Sequence, residues 1–79
     1  MDKNEILTRL KGILQTVKPN TNIALVTPAT QLQAELGIDS LSMMLLALAI
    51  ETEFNFRFDT VTPFKTVGEV CDYIASKTA

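Results

Sequence analysis

Few side chains in this chain can do chemistry unaided, and the most suggestive of them sit together. The 79 residues hold no histidine and a single cysteine, Cys71. The commonest general base and the commonest transition-metal ligand are therefore missing. A lone cysteine without histidine builds neither an activated Cys–His nucleophile nor a zinc site, so no metal is expected. What is left is a hydroxyl in a particular setting. The run Gly37-Ile38-Asp39-Ser40-Leu41 puts Ser40 just after an aspartate and at the head of an apolar stretch. If that stretch is a helix, its first amides and the positive end of its dipole converge at Ser40 and favour a phosphate group. The plainer reading is that Asp39 and Ser40 are ordinary capping residues.

Charge and hydropathy limit the partners. Lys plus Arg number 7 against 9 Asp plus Glu, a net charge of −2. The basic residues are scattered from Lys3 to Lys77, and without a basic cluster no nucleic acid is expected to bind. The longest apolar run, Leu41 to Ile50, is interrupted by Ser42 and falls far short of the ~20 residues a membrane span needs. No membrane association is expected. No basic segment followed by an apolar stretch opens the chain, and one cysteine fits a reducing compartment, so the expected location is cytoplasmic. At 47% hydrophobic and 20% charged residues the chain should fold. It is read as one domain over residues 1–79, with a thin core that buries only roughly 60% of the unfolded surface. This composition favours a binding or carrier module over an enzyme.

Three helical stretches must position the serine. The first is expected from Lys3 to Val17, where Ile6, Leu7, Leu10, Ile13, Leu14 and Val17 recur at helical spacing, capped by Asp2 or Asn4 and stopped by Pro19. Gly12 weakens its interior. A long connection follows, Lys18 to Asp39, with Ile23, Leu25 and Val26 as apolar anchors. Thr30 and Gln33 have capping-box spacing, Gln31–Leu36 reads as a short helical turn with Leu32 and Leu36 inward, and Gly37 suits the position after a helix end. The second long helix is expected from Ser40 to Phe54 with Asp39 as its N-cap. Asn55 to Lys65 reads as an extended loop with at most a turn near Asp59–Pro63, since a lone strand would lack a partner. The last helix is expected from Thr66 to Ser76, opened by a Thr66/Glu69 capping box, with Val67, Val70, Cys71 and Ile74 inward. The predicted fold is all-α, a small three- to four-helix bundle with a long first loop.

The second helix is unusual. Met43, Leu46, Ala47, Ile50 and Phe54 form a normal core stripe, but Leu41, Met44, Leu45 and Leu48 occupy the opposite side, where charges are expected. A bundle this small can hardly enclose such a helix. One face should meet a partner protein, a second copy or a ligand, unless the long connection folds over it.

The chain resembles an acyl carrier protein over nearly its whole length. The resemblance rests on Leu36-Gly37-Ile38-Asp39-Ser40-Leu41, on Glu51-Thr52-Glu53-Phe54, and on Thr66-Val67-Gly68-Glu69-Val70 with Asp72-Tyr73-Ile74, in that order and spacing. It implies that Ser40 carries 4′-phosphopantetheine, transferred from coenzyme A by a phosphopantetheinyl transferase, with Asp39 presenting the serine. It implies a monomer that docks on acyl-loading, synthase or transferase enzymes through Leu41, Met44, Leu45, Leu48 and Glu51. It also implies an acyl pocket lined by Leu46, Ile50, Phe58 and Phe64, which the two phenylalanines are expected to narrow. Ser42 and Leu45 stand where the family often has acidic residues, so the expected docking surface is unusually apolar and the expected role is a specialised one. A peptidyl or aminoacyl carrier and an unmodified helical interaction module are the alternatives.

Overall fold

The computed structural model describes residues 2–58 and 64–78; the turn expected at Asp59–Pro63 lies outside them. Three helices carry the fold: α1 (Lys3–Val17), α2 (Ser40–Phe54) and α3 (Val67–Thr78). The architecture is all-α, as the periodicity predicts. No strand occurs among the described residues, whose one β-like feature is an isolated antiparallel bridge between Gln31 and Thr66.

Helix α1 is the hub. The Asp2 carboxylate accepts the Glu5 N–H at 2.8 Å, so the cap is Asp2. The alternative, Asn4, lies inside the helix, where its carbonyl accepts the Thr8 hydroxyl. Ile6, Leu10, Ile13 and Leu14 are buried, and Leu7 and Val17 pack at the edge of the same stripe. Each fully buried aliphatic side chain here is worth about 1.5–3 kcal/mol. Both α2 and α3 pack on α1, but they do not pack comparably on each other. They diverge, and a groove opens between them.

The long connection departs from expectation in three places. It contains a 3₁₀ turn at Ile23–Leu25, closed by the Val26 N–H donating to the Ile23 carbonyl. Val26 is buried and Ile23 half-buried, while Leu25 is 74% exposed and anchors nothing. Thr30 opens no capping box with Gln33; its buried hydroxyl accepts the Thr27 N–H at 2.8 Å. Gln31–Leu36 is a series of turns and not a helix. The Gln31 carbonyl accepts from both Glu35 and Leu36, and the Glu35 carboxylate takes the Gln31 N–H. Leu32 is buried and Leu36 half-buried, so the inward assignment of both stands.

The reason is tertiary. Leu32 N–H donates to Lys65 C=O, Val67 N–H to Thr30 C=O and Gly68 N–H to Pro28 C=O, at 2.8 to 2.9 Å. These bonds lace the connection to the entry of α3 and engage the Thr30 carbonyl, which a helix over Gln31–Leu36 would bond to its own first turn. A side chain at Gly68 would meet the Pro28 carbonyl oxygen at 2.9 Å. The entry of α3 keeps half of the expected box: Thr66 Oγ1 accepts the Glu69 N–H at 3.3 Å. The Glu69 carboxylate reaches one residue further back, to Lys65 N–H at 3.2 Å. Val67, Val70, Cys71 and Ile74 are buried as expected, and α3 runs on to Thr78.

Candidate functional site

The site begins with how Ser40 is placed. Gly37 ends the turns with a left-handed φ of +66°, which a residue with a Cβ adopts only at a cost. Ile38 follows, almost wholly buried, and its N–H donates to the Leu32 carbonyl at 3.0 Å. Asp39 then caps α2 as expected: its Oδ1 accepts the Ser42 N–H at 2.8 Å, and its carbonyl accepts the Met43 N–H. The hydrogen bond from the Ser42 backbone, and next the one from the Ser42 side chain, hold the Asp39 carboxyl below the usual carboxylate range.

Ser40 is thereby left at the first helical position, exposed. Its hydroxyl makes no hydrogen bond among the described residues. Most helical hydroxyls in this chain are occupied: Thr8, Thr16, Thr52 and Thr78 each donate to the carbonyl four residues earlier. At the first position of a helix no such carbonyl exists, so Ser40 points to solvent beside amides that lack intrahelical partners. That setting suits a phosphate ester on the serine oxygen.

Beside Ser40 lies the groove between α2 and α3, with a volume of about 610 Å³. Asp39 and Ser40 line one end. Leu46 and Ile50 form its floor, each only 1% exposed, and Val70 faces them from α3. Phe58 and Phe64 also line it, so the four residues expected around an acyl chain do meet. Phe58 stacks on Tyr73 with ring centres 5.0 Å apart, and Phe64 packs edge-on to Tyr73 at 5.5 Å. The rings pack on Tyr73 of α3 and form part of the groove wall.

The apolar surface of α2 continues from the groove, which Met44 and Leu48 also line, out to Leu41 and Leu45. Leu41, Met44, Leu45 and Leu48 are 67%, 63%, 50% and 59% exposed, and the long connection does not cover them. Glu51, expected at the docking surface, is half-buried. Its carboxylate turns back into the chain and accepts the Phe58 N–H at 2.8 Å. Glu53 is paired with Arg9 on α1 at 3.2 Å. Sequence reasoning missed both partners, because neither a contact seven residues ahead in a loop nor one between helices leaves a local pattern. Among the described residues no cluster of His, Cys, Asp or Glu could hold a metal ion, and no helix is long and apolar enough to cross a membrane.

A helical domain that displays an unpaired serine at a helix N-terminus, beside an apolar groove, belongs to the class of carrier domains that bear a covalent group. The comparisons agree. The sequence model of the family described as "Phosphopantetheine attachment site" matches residues 6–74. The chain is 39% identical to the acyl carrier protein of Acidothermus cellulolyticus, over 99% of this chain and 94% of that one. It is 35% identical to the acyl carrier protein of Coprothermobacter proteolyticus, over 96% and 94%. It is 36% identical to the mitochondrial acyl carrier protein of Saccharomyces cerevisiae, over 96% of this chain and 65% of that longer one. The chain belongs to the acyl carrier protein family, whose members are carriers and not catalysts and whose cofactor is covalently bound 4′-phosphopantetheine.

Proposed function

We propose that this chain carries acyl groups as thioesters on a 4′-phosphopantetheine arm attached at Ser40. The observation that carries the reading is the unpaired, exposed Ser40 hydroxyl at the N-terminus of α2, inside a region matched by the attachment-site family. When bound, the arm supplies a reactive thiol that this polypeptide does not offer, since Cys71 is buried and its thiol pKa is raised by desolvation. The protein's own residues supply placement. Asp39 fixes the first turn, Gly37 and Ile38 aim it, and the helix dipole offsets the negative charge of a phosphodiester. The groove that starts at Ser40 offers the cargo an apolar lining that includes Leu46, Ile50, Phe58 and Phe64.

Partners dock on Leu41, Met44, Leu45 and Leu48. They comprise a phosphopantetheinyl transferase and the enzymes that load, extend or receive the acyl group. Because Glu51 and Glu53 are engaged within the chain, this surface is read mainly through apolar contact. That favours a dedicated carrier in fatty-acid-like, polyketide or other specialised biosynthesis, working in the cytoplasm as a monomeric single domain.

Mass spectrometry after incubation with coenzyme A and a broad-specificity phosphopantetheinyl transferase tests the attachment. The expected result is a mass gain of one phosphopantetheine, abolished in Ser40→Ala. No gain, or a gain that persists in the variant, overturns the reading.

A further inference from the structure

Glu51 lies in the last turn of α2, where the helix dipole disfavours a negative charge. Its carboxylate finds its compensation outside the helix. Oε2 accepts the backbone N–H of Phe58 at 2.8 Å in a partly buried position. The backbone carbonyl of the same residue accepts the N–H groups of Asn55 and Phe56. Three amides of the four residues after α2 thus close on Glu51, and the left-handed φ of 58° at Asn55 lets the chain fold back to reach it. Phe58 is a groove wall, and its ring also meets Phe56 edge-on at 5.3 Å and Tyr73 face-on. The other wall is held by the same chemistry from the facing helix: Glu69 Oε1 accepts the N–H of Lys65, the neighbour of Phe64.

We propose that Glu51 is a positioning residue that sets the aromatic wall of the groove. Its carboxylate holds the Phe58 amide with a charge-assisted hydrogen bond, stronger than a neutral one. The space open to a carried chain is then decided from α2 and not by the loop alone. The effect on cargo rests on the carrier reading above; the placement of Phe58 does not.

The test compares the wild type, Glu51→Gln, which keeps an acceptor oxygen, and Glu51→Ala. In the unmodified proteins, amide hydrogen exchange of Phe58 should be about tenfold faster in Glu51→Ala and largely restored in Glu51→Gln, with Leu10 and Leu14 amides unchanged. The proteins are next loaded with an octanoyl arm from octanoyl coenzyme A. The methyl shifts of Leu46 and Ile50 should move on loading in the wild type and in Glu51→Gln, and that movement should be lost in Glu51→Ala. The proposal is overturned by an unchanged Phe58 rate in Glu51→Ala, by acceleration that is equal at Leu10 and Leu14, or by the same loading shifts in Glu51→Ala as in the wild type. A wild type that cannot be loaded overturns the carrier reading instead, and the exchange rates then decide the role of Glu51 alone.

Discussion

The aspartate next to Ser40 makes stability depend on acid pH in a defined direction. Its folded pKa is lowered by hydrogen bonds from Ser42, so the cap contributes fully above the ordinary carboxylate pKa and is lost as pH falls through the lower, folded value. We expect the midpoint of denaturant unfolding to carry an extra decline below about pH 4 in the wild type. Asp39→Asn keeps a capping oxygen without the titration and should lack that decline; equal acid slopes in both proteins would contradict it. Cys71 supplies a second check at this scale. Desolvation raises its thiol pKa, so little thiolate forms at neutral pH. Alkylation of the folded protein should be slow and should accelerate on unfolding, which mass spectrometry of a timed iodoacetamide reaction reads directly. Fast labelling of the native protein would mean that the α3 core is open.

Glycines separate the elements by what surrounds them. Gly12 sits on the exposed side of α1, and a Cβ there meets nothing within 4 Å. Gly12→Ala should stabilise by about 0.5–1 kcal/mol and raise the melting temperature by a few degrees. Gly68 is the opposite case. Its N–H bonds the Pro28 carbonyl at 2.8 Å, and an added Cβ would lie 2.9 Å from that same oxygen. Neither can move without breaking the lacing between the connection and α3, so Gly68→Ala should cost about 1–3 kcal/mol. Thermal denaturation of the two variants checks both signs. The contrast also marks where local pattern reading succeeds. The termini of α1 and α2 fall where Asp2, Asp39 and the apolar spacing place them, because a cap and a stripe act within a few residues. The connection does not follow local spacing, because the Thr30 carbonyl accepts from Val67 and the Leu32 N–H donates to Lys65.

At the scale of the whole molecule, the groove and the exposed apolar surface of α2 adjoin and share Met44 and Leu48. Leu46 and Ile50 floor the groove, Met44 and Leu48 line it while staying exposed, and Leu41 and Leu45 face solvent away from it. We expect Leu41→Ala and Met44→Ala to weaken binding to a phosphopantetheinyl transferase more than Glu53→Lys does, in a calorimetric titration. The reverse ranking would mean that partners read charge. Sedimentation should find a monomer; a dimer that Leu45→Glu dissociates would point to self-association as the use of this face.

Several features were legible from residue order alone: the three long helices, the Asp39 cap, the serine at the helix head and the surplus of apolar side chains on α2. All of them depend on interactions within one or two helical turns, or on composition, which a single strand of text records. Tertiary structure decided the rest. It showed that the long connection leaves Leu41, Met44, Leu45 and Leu48 exposed, that Phe58 and Phe64 pack on Tyr73, and that the Glu51 carboxylate takes the Phe58 amide. None of these follows a helical repeat, because each depends on which groups beyond the helix's own turns come within reach, and only the folded arrangement settles that.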